Sequence, residues 1–409
     1  MKKSELVPAN FVAHSFGLMI LKLLNNVSLL IIGLTFFDAF GLESAGLVLL
    51  LILWCETTGK ILKSVIGGKI SLQKNMAFME RHVFGIWRFY VSGSVIFVVI
   101  LRAIYLNDIF SLFIISTYFL VDVFWNRRFV TTPRNLVVAA YFRSSRYILS
   151  ACVYWVLIGI GFITVENMAT IIFAPLVIFV LVRWGIFSSL PNQENAHGEN
   201  PIVSSSLASF VFSRMDILVV PIFLDMQDSG VYLIARTFSM TMLPLLNYFL
   251  NRGKSVLVSS LSFGGKFDFI ESTAMLNLGI FLIGGGCSMI PLGLGKIYAP
   301  VFGDEQQLFS LCVFLFVASH YCKSLLGACE EILELTAGRK ELITLISIAV
   351  LLFLAFCFYP DDLQVRSLAL AASVMHVGLA VVLAIIVAFR FGIWPGPTAL
   401  LFGQIRLFR

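Results

Sequence analysis

Three basic side chains lie deep inside long apolar stretches of this sequence: Lys22, Arg214 and Arg236. A charge near the centre of a bilayer costs about 2.5 to 3.5 kcal/mol even on a lenient scale, and such residues usually face a bundle interior or a watery cavity. Asn25 and Asn26 follow Lys22 at the i+3 and i+4 positions of a helix and extend its polar stripe. Because these groups donate hydrogen bonds or carry positive charge, they favour an anionic ligand. We therefore predict that these five residues bind substrate.

Arg236 begins a second polar stripe. Met240, Asn247 and Asn251 follow it at the i+4, i+11 and i+15 positions, beside Pro244. The proline predicts a kink, because it removes a helical hydrogen bond that neighbouring helices must replace. Because Asn247 lies on this polar stripe, it is added to the predicted substrate-binding residues.

Two acidic residues are candidates for a counter-charge or a site for a coupling ion: Glu56 and Asp216. Lys60 and Lys63 lie four and seven residues after Glu56, an order that also allows a local pair within the helix. Asp216 lies two residues after Arg214, so the two side chains point to different sides of their helix. The structural alternative to a role in a cavity is that the acidic and basic side chains pair with each other, or that their charged groups snorkel to the membrane surface.

The other titratable or glycine-rich positions favour structural roles. Asp122 falls near the end of an apolar run, and His320 and His376 are isolated on apolar helices. Gly284 to Gly286 have apolar neighbours and predict close helix packing rather than phosphate binding. No sequence pattern indicates a catalytic triad, a phosphate-binding loop or a metal-ligand cluster. The sequence therefore predicts no enzyme activity, no bound metal and no organic cofactor.

The composition indicates a membrane protein. The chain has 409 residues, of which 59% are hydrophobic and 13% are charged, and its mean hydropathy is +0.94. A soluble globular surface needs far more charge. Runs long enough to cross about 30 Å of hydrocarbon as helix predict an all-α polytopic protein with twelve spans. The predicted spans are residues 11–37, 43–66, 84–106, 108–125, 145–165, 168–187, 203–225, 229–251, 270–295, 306–327, 341–359 and 363–390.

The basic residues predict the orientation of these spans. Of the 29 Lys and Arg residues, Arg102, Lys296 and Arg366 fall outside and three fall within spans, so most lie on one side, which is cytoplasmic in short-loop proteins. Both termini are then cytoplasmic, and the first span is a retained helix rather than a cleaved signal peptide. The net charge of +6 follows from this inner face beside anionic lipid and requires no nucleic-acid partner.

The chain divides into two halves that share a turn. Six spans in residues 1–187 and six in residues 203–409 flank a polar cytoplasmic linker at 188–202. An even number of spans gives parallel repeats related by an axis along the membrane normal. Gly46 in DAFGLESAGLVLL aligns with Gly230 in IFLDMQDSGVYLI at an offset of 184 residues. Internal duplication of this kind is typical of transporters, with the substrate path between the halves.

Three segments carry a resemblance to a known family. They are FGLESAGL at 40–47, SRMDILVVPIFLDMQDSGVYLIARTFSM at 213–240, and KIYAPVFGDE at 296–305 together with ELTAGRKEL at 334–342. With the twelve-span layout, the chain resembles the multidrug/oligosaccharidyl-lipid/polysaccharide exporter superfamily, in its polysaccharide flippase branch, which includes O-antigen transporters. The resemblance implies a MATE-like fold. It also implies basic cavity residues on helices that here carry Lys22, Arg214 and Arg236.

The resemblance implies that an undecaprenyl-diphosphate-linked oligosaccharide is flipped across the bacterial inner membrane by alternating access. The implied partners are this lipid-linked oligosaccharide, membrane lipids and other polysaccharide-assembly proteins, with H+ or Na+ as a candidate coupling ion. Two alternatives stay open. A cation-coupled drug exporter of the same fold would favour acidic cavity residues, and a membrane polysaccharide polymerase would favour a large external loop.

Overall fold

The computed structural model describes most of the chain, and the described part is almost entirely helical, without a strand. It comprises residues 9–70, 147–164, 203–241, 243–250, 253, 266–335, 339–359 and 364–391. The predicted spans at 84–106, 108–125 and 168–187, the linker at 188–202 and Asp122 lie outside these residues. The all-α class is thus confirmed for the part that the structure describes, whereas the twelve-span count stays a prediction.

Eleven α-helices are described here and numbered in chain order within that part. They are α1 Ala9–Phe40, α2 Leu42–Ile70, α3 Tyr147–Gly159, α4 Val203–Phe223, α5 Met226–Met240, α6 Leu243–Leu250, α7 Lys266–Tyr298, α8 Gln306–Leu326, α9 Cys329–Leu335, α10 Arg339–Phe358 and α11 Val365–Phe391. A 3-10 helix, Ala299–Glu305, connects α7 to α8.

Several of these helices suit a membrane by length and composition. Four stretches of the described residues are long and apolar enough to cross one, or up to five if the bent pair α5 and α6 counts as a single span. The four are Met19–Phe40, Met275–Leu326, Lys340–Phe358 and Val365–Arg390. Large apolar side chains are also exposed, among them Trp155 at 71% and Phe389 at 88%, as a lipid environment allows. These observations indicate a membrane-embedded protein.

The chain forms two compact units, and α1 and α5 each contribute residues to both. The first contains Met1–His14 and Val27–Gly230, and the second contains Ser15–Asn26 and Val231–Arg409. In the first unit α2 packs on α4, and the Phe36 ring meets the Tyr154 ring edge-on at 5.8 Å. In the second unit α8 packs on α7 and α11. An aromatic core there includes stacked rings of Phe302 and Phe309, whose centroids are 3.9 Å apart.

The two repeated turns begin their second helices at equivalent positions but are built differently. After α1, Gly41 has a φ of 86° and donates its N–H to the Phe37 carbonyl at 2.9 Å, a left-handed helix end that glycine makes without strain. Before α5, Asp225 caps the helix, because its Oδ1 accepts the Asp228 N–H at 2.7 Å. The helices then begin at Leu42 and Met226, which the 184-residue offset aligns.

The aligned glycines contact each other across α2 and α5, within the first unit. A Cβ placed on Gly46 would meet the Met226 carbonyl oxygen and lie 2.7 Å from the Gly230 nitrogen. A Cβ on Gly230 would meet the Leu42 carbonyl oxygen in the reciprocal way. Gly46 therefore faces the carbonyl of the residue four positions before Gly230, and Gly230 faces the carbonyl of the residue four positions before Gly46. Such a reciprocal contact has local two-fold symmetry. The alignment that the sequence suggested corresponds here to a physical helix crossing.

Candidate functional site

The structure places the eight predicted site residues in two groups, one in each unit. The second unit holds most of the predicted substrate-binding residues, namely Lys22, Asn25, Asn26, Arg236 and Asn247. The first unit holds Glu56, Arg214 and Asp216. Each group is described by its own contacts.

In the second unit, α1 and α5 meet at Met240. Asn26 donates its Nδ2–H to the Met240 carbonyl at 3.0 Å. Arg236, one turn before Met240 on α5, places Nη1 at 2.9 Å from the Met240 Sδ. We call Asn26, Arg236 and Met240 the Met240 cluster. It brings together an amide and a guanidinium that are 210 positions apart in sequence.

Burial differs sharply among the residues around this cluster. Arg236 is only 4% exposed, and Asn25 is 8% exposed. Lys22 lies one turn before Asn26 on α1 and is exposed. The buried guanidinium lies in a region of low dielectric, where its field on a nearby anion is strongest. The ammonium of Lys22, by contrast, lies at the end of a flexible four-carbon side chain in an exposed position.

The Met240 cluster lies at a bend. The axes of α5 and α6 differ by 42°, and Pro244 is in the first turn of α6. Where α5 ends, Thr241 donates its N–H to the carbonyl of Phe238, three residues earlier, at 3.3 Å, which is the spacing of a 3-10 helix. Beyond the bend, Asn247 is exposed on α6. The kink that Pro244 predicted is therefore present, and the stripe from Arg236 to Asn247 does not follow one straight helix.

In the first unit the acidic and basic residues have separate surroundings. Glu56 accepts a hydrogen bond from the Tyr147 hydroxyl of α3 at 3.0 Å. Arg214 places its Cζ 5.9 Å from the centroid of the Phe210 ring, one turn before it on α4. Asp216 is 1% exposed. The Lys60 side chain lies outside the described side chains, so its predicted pair with Glu56 stays a prediction.

A small cavity near the bend was not anticipated from the sequence. It has a volume of about 20 Å³, room for roughly one water molecule, and α5, α6, α7 and α8 line it. Its polar lining comes from Ser239, Ser288, Ser324 and His320. The three serines donate to carbonyls of their own helices at 2.6 to 2.9 Å. The close helix packing predicted at Gly284 occurs beside this cavity, since a Cβ there would lie 2.5 Å from the Ser324 Oγ.

A second unanticipated contact holds the break between α8 and α9. Gly327 has a φ of 80°, and the next N–H, that of Ala328, is donated to Asn277 Oδ1 of α7 at 3.0 Å. Asn277 is 1% exposed. Burial raises the pKa of the adjacent Cys329 thiol, which keeps it protonated. No local pattern in the sequence connects Asn277 to a position 51 residues later.

Replacing Asn277 with leucine is expected to destabilise the second unit. The Ala328 N–H would lose its acceptor in a buried position, at a cost of about 1–3 kcal/mol. The thermal unfolding midpoint of the purified protein measures this change. Equal midpoints for Asn277→Leu and wild type would contradict the assigned role.

The donors of the Met240 cluster and Lys22 define the chemistry of this candidate site. An amide, a guanidinium and an ammonium lie on adjacent turns of α1 and on α5, and such groups bind phosphate or carboxylate oxygens. Among the described residues, no group of three or more His, Cys, Asp or Glu side chains is placed to bind a metal ion. Comparison of the chain with family models, with curated proteins and with solved structures finds no match.

Proposed function

We propose that this protein flips an undecaprenyl-diphosphate-linked oligosaccharide from the cytoplasmic to the outer leaflet of the bacterial inner membrane by alternating access. The observation that carries the proposal is the buried Arg236 guanidinium in the Met240 cluster, with Lys22 one turn away on α1. A diphosphate needs positive charge inside a low-dielectric protein, whereas its lipid tail can stay in the bilayer.

The repeat supports a transporter rather than an enzyme. Helices α2 and α5 begin at positions related by the 184-residue offset, and their glycines make reciprocal contacts. Duplicated halves of this kind allow one repeat to move against the other around a site between them. We extend the proposal to two six-helix lobes at residues 1–187 and 203–409, with Glu56 or Asp216 as a counter-charge or a site for H+ or Na+.

Mass spectrometry of lipid that co-purifies with the full chain tests the proposal. We expect a polyprenyl-diphosphate oligosaccharide to be enriched over bulk phospholipid. Lys296→Ala removes an exposed basic residue outside the Met240 cluster and should leave this enrichment unchanged. Lys22→Ala should reduce it. Recovery of bulk phospholipid alone would contradict the proposal, and efflux of cationic dyes by reconstituted protein would favour a drug exporter instead.

Cells lacking the protein provide a second measurement. We expect them to accumulate lipid-linked oligosaccharide that faces the cytoplasm and stays inaccessible to probes added from outside. Accumulation of outward-facing, unpolymerised units would overturn the flippase proposal in favour of a polymerase.

A further inference from the structure

At the bend between α5 and α6, the Met240 carbonyl lacks its usual helical donor. In a continuous helix the Met240 oxygen would accept the N–H of residue 244. That residue is Pro244, which has no N–H and whose ring crowds the carbonyl four residues before it. In a membrane such a carbonyl needs a replacement donor, because no bulk water reaches it.

The replacement comes from α1. Asn26 Nδ2 donates to the Met240 oxygen at 3.0 Å, within the normal range for a hydrogen bond. The contact joins residues 214 positions apart, so it is a tertiary contact rather than a local cap. A second contact between the same segments brings the Phe16 ring to 6.4 Å from the Tyr248 ring of α6, edge to face. Together they attach α1 to both sides of the bend.

Hydroxyl groups in the last turns of α5 favour the same bend. Thr237 Oγ1 donates to the Leu233 carbonyl at 2.7 Å, and Ser239 Oγ donates to the Arg236 carbonyl at 2.7 Å. Thr241 Oγ1 donates to the Phe238 carbonyl at 2.8 Å. Side chains that bond back to carbonyls three or four residues earlier tend to bend helices. The hydroxyls thus weaken the straight form, while Asn26 satisfies the carbonyl that the bend frees.

We infer that Asn26 is a positioning residue, whose amide replaces the N–H that Pro244 lacks and thereby holds α5 and α6 in their bent arrangement. This role goes beyond the proposed function, because it does not depend on which substrate the protein transports. Arg236 contacts the side chain of the same methionine. The geometry of the bend therefore also sets where the guanidinium lies, and Asn26 acts on the candidate site through Met240.

A double-mutant cycle tests this inference on the purified full chain. Asn26→Leu should lower the thermal unfolding midpoint by roughly 2–4 °C, because the Met240 carbonyl loses its donor. In a Pro244→Ala background, the new N–H at position 244 can reach that carbonyl, so the same Asn26→Leu change should cost much less.

Asn25→Leu is the matched control, since Asn25 is the buried neighbour on α1. Its effect should be the same with Pro244 and with Pro244→Ala. Additive effects of Asn26→Leu and Pro244→Ala would overturn the inference.

An infrared measurement covers the case in which a doubly substituted protein does not fold. With methionine carbonyls labelled by ¹³C, the difference between wild type and Asn26→Leu should show one of the 12 methionine carbonyls shifting to higher frequency. No shift would contradict the inference. Neither measurement needs a substrate, so both distinguish failure of the inference from failure of the proposed transport function.

Discussion

Replacing Gly46 with leucine is expected to abolish recovery of folded protein. A Cβ at this position would lie 2.7 Å from the Gly230 nitrogen and 3.0 Å from its Cα, and would also meet the Met226 carbonyl oxygen. These atoms are backbone, so relief requires α5 to move away from α2. Overpacking typically costs about 1–3 kcal/mol even where side chains can give way. We expect a larger loss here, measured as monodisperse protein extracted from membranes.

Glycines in open surroundings provide the controls for this prediction. Gly279 in α7 and Gly378 in α11 have no atom within 4 Å of the place where a Cβ would be. Alanine at either position should leave yield unchanged or improve it, because alanine favours helix more than glycine does. Normal yield and unfolding midpoint for Gly46→Leu would show that the two helices do not cross at these glycines.

The reciprocal geometry also predicts how Gly46 and Gly230 interact. Gly46→Ala and Gly230→Ala should each lower the unfolding midpoint. The double substitution should cost less than their sum, because the first alanine already separates α2 from α5. A fully additive pair would contradict a shared crossing.

The sequence predicted local features of the fold well, because local physics determines them. The break between α1 and α2 was expected between residues 37 and 43 and occurs at Gly41, where a left-handed residue ends the helix. The last predicted span, 363–390, corresponds to α11 at Val365–Phe391. Apolar length is enough to predict such helices. A proline indicates where a kink can form, as at Pro244, but α4 and α7 continue through Pro221 and Pro291.

The contacts around the candidate site could not be predicted in the same way. The sequence paired Gly46 with Gly230 as equivalents, but equivalence does not imply that they touch. It placed Asn26 on a polar stripe of α1 but did not indicate that this side chain bonds to a carbonyl on α5. It did not connect Glu56 with Tyr147 of α3, which donates a hydrogen bond to it. Each of these contacts depends on which helix faces which, and one sequence contains no direct signal for that.

Removing the charge of Lys22 is expected to abolish export of surface polysaccharide while the protein remains in the membrane. Lys22 is exposed on α1, so Lys22→Met removes the ammonium without opening a cavity in the core. A hydrogen bond to a charged group contributes about 1.5–3 kcal/mol. Its loss should weaken binding of a diphosphate by roughly tenfold to a hundredfold. Surface polysaccharide and membrane abundance are measured in the same cells.

Arg236 allows a stricter test of charge, because it is 4% exposed and fixed at the Met240 Sδ. Arg236→Met replaces the guanidinium with an apolar side chain of similar length and should lose export. Arg236→Lys keeps the positive charge and should retain part of the export. The retention is only partial because a lysine ammonium cannot bind phosphate through two parallel hydrogen bonds as a guanidinium does. Lys296→Met, which removes an exposed basic residue elsewhere, should leave export intact. Since a buried arginine also stabilises its surroundings, Arg236 variants are compared at equal membrane abundance. Wild-type export from both Lys22→Met and Arg236→Met would show that these cations do not bind the substrate, and the flippase proposal would lose the observation that carries it.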